Sequence, residues 1–217
     1  DEAIAGRCDR ALKRGVDGAD EIGAASEGGI RALMERLSEC GLCMADYGNS
    51  MPASGSEHLL SHFWESRLLV ENRRALLHGA KVGVGTALAA GFWEKLRGLS
   101  HADAAQRLGA SRLPDRDQEI ARIQTGWAFA VAQVQEAQSR FLAMDVAGYE
   151  DLKKAILTHW DRIQSIAAEV PSPKTVVGVL RRPGRPRGGH RSGRRGHPPA
   201  RQAPAHLAAL GKRLRSA

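Results

Sequence analysis

The sequence has few cysteines, few aromatic residues and no long apolar run. Its 217 residues include three cysteines, and so small and odd a number favours a reducing compartment over a disulfide framework. No stretch reaches the roughly 18 to 20 consecutive apolar residues of a membrane span, and the first residues lack the sections of a signal peptide. We therefore expect a cytoplasmic protein without membrane insertion. Because the chain begins at Asp1 rather than at methionine, we also expect a fragment or a mature piece.

Acidic residues are missing from the C-terminal part of the chain. Residues 172–217 contain twelve Lys and Arg but no Asp, Glu or aromatic residue. The net charge of the whole chain is +8, so the residues before this part carry a net charge of −4. A segment rich in Arg, Pro and Gly cannot bury enough apolar surface to offset the chain entropy lost on folding. We expect residues 171–217 to form a disordered basic tail.

Two origins of this tail remain open. One is a basic arm that binds nucleic acid or an anionic surface. The other is out-of-frame translation, because Arg, Pro, Gly and Ala dominate when a GC-rich coding strand is read in the wrong frame. The second is favoured, since no aromatic residue or motif supports recognition. Nucleic acid is therefore not expected as a partner.

Strand-like alternation is close to absent from residues 1–170, where apolar residues recur at helical spacing. We expect an all-α helical bundle over residues 1–170, with Gly and Pro between the helices. The predicted helices lie near Asp1–Lys13, Ile30–Cys40, Glu57–Glu71, Lys81–Leu99, Asp115–Phe141 and Tyr149–Val170.

Two histidines share one face of a predicted helix. Ser54 and Glu57 have the Ser-x-x-Glu spacing of a capping box, which predicts a helix that begins just before His58. His58 and His62 then lie about one turn apart, near 6 Å along the axis. Half-buried histidines of an ordinary amphipathic helix also fit this spacing. A zinc protease does not, because Leu59 rather than Glu follows the first histidine.

His78 adds a third imidazole. It follows a polar stretch and directly precedes Gly79, where a second helix can begin. Two antiparallel helices would return the chain to the start of the first helix. His58 and His78 could then bind one ion from neighbouring elements.

Three stretches around these histidines carry a family resemblance. They are Pro-Ala-Ser-Gly-Ser-Glu-His at 52–58, Ser-His-Phe-Trp-Glu at 61–65 and Leu-His-Gly-Ala-Lys-Val-Gly-Val-Gly-Thr at 77–86. Together they resemble the signature of the sn-glycerol-1-phosphate dehydrogenases, most of all the bacterial AraM-like branch. These enzymes belong to the iron-type alcohol dehydrogenase and glycerol dehydrogenase superfamily. The resemblance runs from residue 1 to about residue 170, which corresponds to the helical C-terminal metal-binding domain of the dehydroquinate synthase-like fold.

The resemblance implies a metal site. In the family one aspartate and two histidines hold a divalent metal, Zn²⁺ or Ni²⁺. When the residues are matched to the family's motif, the two metal-binding histidines are His58 and His78. His62 would then face the substrate. The family's aspartate precedes Asp1, so we expect this chain to lack one ligand. Asp46 has no role that the resemblance assigns.

The resemblance also implies a reaction, the reduction of dihydroxyacetone phosphate to sn-glycerol 1-phosphate with NADH or NADPH, as in phospholipid biosynthesis. The metal would polarise the substrate carbonyl. His62 would hydrogen-bond the substrate or relay the proton of the new alcohol. The nucleotide-binding domain is expected to be missing, because Gly83-Val84-Gly85 follows no strand. We expect the chain alone to be inactive and the intact enzyme to be a homo-oligomer.

Other functions remain open. Glycerol dehydrogenase and dehydroquinate synthase-like enzymes also place histidines on facing helices. From another class, the chain could be a helical scaffold whose basic tail binds nucleic acid. The lone pair Cys40 and Cys43 predicts buried or surface thiols rather than a metal or redox site.

Overall fold

A computed structural model describes residues 2–127 and 130–182. Within these ranges the chain forms α-helices and a short 3₁₀ helix, Met51–Ala53, and contains no strand. The all-α prediction is thereby confirmed. The helices are α1 (Glu2–Asp17), α2 (Ala19–Gly23), α3 (Glu27–Tyr47), α4 (Ser56–Val70), α5 (His78–Arg97), α6 (His101–Ala110), α7 (Arg116–Trp127), α8 (Val131–Ala137), α9 (Ser139–Leu142), α10 (Val146–Thr158), α11 (Trp160–Glu169) and α12 (Pro173–Arg181).

Two of the long predicted helices are interrupted. The segment predicted as Asp115–Phe141 holds α7, α8 and α9, with a break at Gln138. The segment predicted as Tyr149–Val170 is divided between α10 and α11 at His159, where φ is −100° and ψ is 17°. A break of one residue hardly changes the periodicity of the apolar residues, so the spacing alone does not reveal it.

The predicted start of the tail is wrong. Ser172 caps α12 with its Oγ, which accepts a hydrogen bond of 3.2 Å from the Thr175 N–H. This helix packs against α5, and Leu180 lies beside Gly83. The basic composition of the whole segment concealed four apolar residues, Val176, Val177, Val179 and Leu180. The remainder of the predicted tail, 183–217, lies outside the described residues.

The antiparallel pair of α4 and α5 is the part of the fold that carries the three histidines. The connection between the two helices includes Asn72 in the left-handed region, with φ of 48°. The helices are in close contact at Gly85, where a Cβ would lie 2.7 Å from the backbone oxygen of Glu57. Only glycine permits this separation. The start of α4 is therefore held at a fixed position on α5.

Small side chains dominate the buried core of the described residues. Four alanines, Ala11, Ala90, Ala104 and Ala167, are at most 3% exposed. Two tryptophans, Trp64 and Trp160, are also buried. Nowhere in residues 2–127 and 130–182 is a helix long and apolar enough to cross a membrane.

Candidate metal and substrate site

The three predicted histidines converge on the α4–α5 pair. His58 and His62 lie on α4, and His78 is the first residue of α5. The ring centroid of His78 is 5.4 Å from that of His58 and 5.4 Å from that of His62. Two imidazoles that share a tetrahedral zinc, with bonds of about 2.0–2.1 Å, bring their centroids to about 5 Å. The spacing of either pair therefore fits a shared cation.

The start of α4 differs from the predicted capping box. The N-cap is Gly55, not Ser54, and it has no side chain with which to cap the helix. The Glu57 carboxylate instead folds back to the N-cap residue, where its Oε1 accepts a hydrogen bond of 2.8 Å from the Gly55 N–H. The helix still begins just before His58, as the sequence predicts.

Glu57 also contacts the first histidine. Its Oε1 lies 2.9 Å from His58 Nδ1, and both side chains are about one-quarter exposed. Burial raises the pKa of Glu57, but hydrogen bonds from His58 and from the Gly55 and Glu57 N–H groups outweigh it and lower that pKa. The carboxylate is therefore ionised at neutral pH.

Glu65 lies between the other two histidines. Its Oε2 is 3.1 Å from His62 Nδ1, and its Oε1 is 3.6 Å from His78 Nδ1. The buried Ser61 Oγ is closer to His78, at 3.3 Å from Nδ1. Among the residues that the structure describes, His62, Glu65 and His78 form a group in which candidate ligand atoms all lie within 4.8 Å of one another. His58 is not part of this three-residue group.

A buried lysine holds Glu65. The Lys81 side chain is 1% exposed, and its Nζ donates to Glu65 Oε1 at 2.6 Å and to the Leu76 carbonyl at 2.8 Å. The hydrogen bond from Lys81, with a further one from His62, lowers the pKa of Glu65. The Glu65 carboxylate is therefore ionised and orients the side chains of Lys81 and His62.

Sequence reasoning missed Glu57 as a histidine partner, and it missed Glu65 and Lys81 altogether. A sequence signal existed for Glu65, because His62 and Glu65 are three residues apart on one helix face. A lysine three residues after His78 reads instead as part of a solvated face. Asp46, to which the family resemblance assigns no role, lies on α3 and forms an ion pair with Arg7 on α1. It does not belong to the group of His62, Glu65 and His78.

Comparison with known proteins finds relatives over part of the chain. The glycerol-1-phosphate dehydrogenase [NAD(P)+] of Geobacillus stearothermophilus is 48% identical over 80 residues, which cover 37% of this chain and 20% of the relative. The enzyme of the same name from Bacillus licheniformis is 42% identical over 109 residues, 48% of this chain and 27% of the relative. That of Aeropyrum pernix is 41% identical over 85 residues, 37% of this chain and 23% of the relative.

The chain thus spans about a fifth to a quarter of the length of the curated relatives it matches. No protein-family model and no solved structure matches it. The relatives are oxidoreductases that their names describe as NAD(P)-dependent. The resemblance predicted from the histidine-bearing stretches is confirmed: over about two fifths of its length the chain is similar to the glycerol-1-phosphate dehydrogenases, and it fits a C-terminal fragment of that family.

Proposed function

We propose that this chain is the metal- and substrate-binding part of an NAD(P)-dependent glycerol-1-phosphate dehydrogenase, which reduces dihydroxyacetone phosphate to sn-glycerol 1-phosphate. The observation that carries the proposal is the convergence of three imidazoles on α4 and α5, in a chain similar to enzymes of that name. The intact enzyme is proposed to be a cytoplasmic homo-oligomer of phospholipid biosynthesis.

His58 and His78 are the proposed ligands of a divalent metal, Zn²⁺ or Ni²⁺. Their ring separation of 5.4 Å supports a shared ion. Imidazole suits both metals. When bound, the ion supplies Lewis acidity to the carbonyl of the substrate. Two protein ligands from these helices leave coordination positions for the substrate and for a further ligand from elsewhere in the intact enzyme.

His62 is the proposed substrate-facing residue. Its side chain is 54% exposed, more than that of His58 at 25%, and its ring lies beside His78. A carboxylate partner, Glu65, holds its Nδ1. An exposed imidazole next to the reacting carbonyl can hydrogen-bond the substrate and deliver the proton that the new alcohol needs.

The hydride is proposed to come from NADH or NADPH bound outside this chain. Nicotinamide-binding folds of the Rossmann type are built on parallel strands. The residues described in the structure have none, and the matched part is only 20% to 27% of the length of the relatives. We infer that the chain by itself does not reduce dihydroxyacetone phosphate.

A chimera tests the proposal. Residues 54–97 of this chain replace the corresponding segment of the Geobacillus stearothermophilus relative, and NADH oxidation is followed with dihydroxyacetone phosphate. We expect turnover in the chimera and its loss, by about 100-fold or more, in His58→Gln and His78→Gln. Glu94→Gln, an exposed change on the same helix as His78, is the matched control and should leave turnover intact.

Two results would contradict the proposal. A folded, metal-loaded chimera without any turnover would reject the assignment of this segment. Faster turnover of dihydroxyacetone than of its phosphate ester would favour a glycerol dehydrogenase instead. The unmodified 217-residue chain is assayed in parallel, and no NADH oxidation is expected from it.

A further inference from the structure

We propose that Glu57 is a positioning residue: it fixes His58 in the tautomer with the proton on Nδ1 and so presents the Nε2 lone pair to a divalent cation. The inference rests on the proposed function, since it concerns one of the proposed ligands of that metal site. It adds a residue to which neither the family resemblance nor the similar proteins assign a role.

The direction of the hydrogen bond follows from the chemistry of the two groups. Glu57 Oε1 lies 2.9 Å from His58 Nδ1 and 2.8 Å from the Gly55 nitrogen. An ionised carboxylate offers acceptors only. The Nδ1 of His58 must therefore carry the proton and donate it, and in a neutral imidazole this leaves Nε2 without one.

Glu57 is itself fixed in place. Its side chain is held by the Gly55 N–H at the start of α4. Its backbone lies against α5, so closely that a Cβ on Gly85 would come within 2.7 Å of the Glu57 oxygen and 3.1 Å of its Cα. A carboxylate anchored at both ends can orient an imidazole without losing much conformational entropy on binding.

Histidines that bind metals usually donate their other ring N–H to a carboxylate or carbonyl. Such a partner orients the ring and raises its basicity, and its loss typically lowers metal affinity by about 10- to 100-fold. The Glu57–His58 pair has this arrangement on the helix face that approaches His78. Glu65 and His62 form a similar pair one turn along, but that histidine is proposed to face the substrate.

The experiment measures Zn²⁺ binding and histidine tautomers in the 217-residue chain. All variants carry glutamine at His190, His197 and His206, so that these C-terminal histidines contribute no affinity. Calorimetry gives the dissociation constant for Zn²⁺. Two-bond ¹H–¹⁵N spectra of the metal-free protein report which ring nitrogen of His58 holds the proton, with the signal assigned by its absence in His58→Gln.

We expect Glu57→Gln to weaken Zn²⁺ binding by about 10- to 100-fold and to reduce the Nδ1–H form of His58, with unchanged helical circular dichroism. Glu94→Gln, an exposed change on α5, is the control. It should leave the tautomer of His58 unchanged and Zn²⁺ affinity within about 3-fold. Glu57→Ala, which also removes the bond to Gly55, should show a loss at least as large as Glu57→Gln.

Two results would overturn the inference. In the first, Glu57→Gln leaves Zn²⁺ affinity and the tautomer of His58 unchanged, while His58→Gln and His78→Gln abolish binding. The role of Glu57 is then rejected, and the proposed function stands. If His58→Gln binds Zn²⁺ normally but Glu65→Gln does not, the ion is held by His62, Glu65 and His78, and both the inference and the proposed ligand set fail.

Discussion

Lys81 places its Nζ 2.6 Å from Glu65 Oε1 although the lysine is 1% exposed. A buried ammonium group is costly unless it is paired and hydrogen-bonded. Here the only other acceptor that contacts it in the described part of the chain is the Leu76 carbonyl, at 2.8 Å. The same carboxylate reaches His62. The stability of the α4–α5 pair and the orientation of a proposed site residue therefore depend on one acidic side chain.

Replacement of Glu65 by leucine should destabilise the chain by about 3 kcal/mol, at the lower end for a broken buried pair because the Glu65 side chain is 37% exposed. The double variant Glu65→Leu/Lys81→Met should regain most of this loss, since no uncompensated charge remains buried. Urea unfolding followed by circular dichroism gives the free energies of unfolding.

The matched control for this cycle is the pair of Lys154 and Asp151, whose side chains are both 75% exposed. Breaking it should change the free energy of unfolding by no more than about 0.5 kcal/mol. A Glu65→Leu variant as stable as the unmodified chain would show that Lys81 finds another partner or loses its proton at little cost.

Gly85→Ala should destabilise the chain by about 2 kcal/mol, because the new methyl group would meet the Glu57 backbone at 2.7 Å and force α4 away from α5. The shift would also move His58, so Zn²⁺ affinity measured by calorimetry should fall in parallel.

Gly41→Ala is the control for this substitution. Gly41 also lies inside a helix, α3, but a Cβ there would meet no atom within 4 Å. The higher helix propensity of alanine should then raise the free energy of unfolding by about 0.5–1 kcal/mol. Equal effects at both positions would contradict the close approach at Gly85.

Much of the site could be predicted because helical periodicity and residue spacing are local properties. The i and i+4 positions of His58 and His62 determine that both lie on one face. The connection 71–77 between α4 and α5 then brings His78 to them. The residues that hold the histidines in place could not be predicted in the same way. Burial of Lys81 and its pairing with Glu65 depend on the contact between two helices, which the sequence of neither helix reveals.

The limits of the fold prediction have a similar origin. The break at His159 and the start of α12 are set by local capping and by packing against other helices, whereas periodicity averages over several turns. The Ser172-Pro173 pair did carry a helix-start signal. It was outweighed by the Arg-rich composition that follows. Composition averaged over 47 residues therefore concealed a helix of nine.

The capping box of α6 predicts a pH dependence. Hydrogen bonds from the Ser100 hydroxyl and N–H to the Asp103 carboxylate lower the pKa of Asp103. A group whose pKa is lower in the folded state contributes stability above its unfolded pKa and loses it as the pH falls through the folded value. The contribution should therefore disappear below about pH 4.

Ser100→Ala tests this dependence. It should raise the pKa of Asp103 toward its ordinary value, as measured by carboxyl ¹³C titration, and reduce the acid sensitivity of α6. Ser172→Ala removes a helix cap without an acidic partner and should leave the pKa of Asp103 unchanged. An unshifted pKa in Ser100→Ala would show that the capping box does not form in solution.

Two truncations separate the helix that the composition concealed from the segment beyond it. A chain that ends at Arg182 retains α12 and its packing on α5, whereas a chain that ends at Val170 loses both. We expect the shorter chain to be less stable by about 2 kcal/mol, on the scale of exposing one aliphatic side chain, and to bind Zn²⁺ more weakly because α5 carries His78. The longer chain should match the full chain in Zn²⁺ affinity, once His190, His197 and His206 are replaced in the latter. Equal stability of the two truncated chains would contradict the packing of α12 on α5.

The same truncation at Arg182 tests the basic segment for nucleic-acid binding. Affinity for a single-stranded oligonucleotide is measured by fluorescence anisotropy at two salt concentrations. In the full chain we expect only weak binding that depends on salt and not on the nucleotide sequence. A sequence-specific affinity that vanishes on truncation at Arg182 would instead establish the basic segment as a nucleic-acid-binding arm.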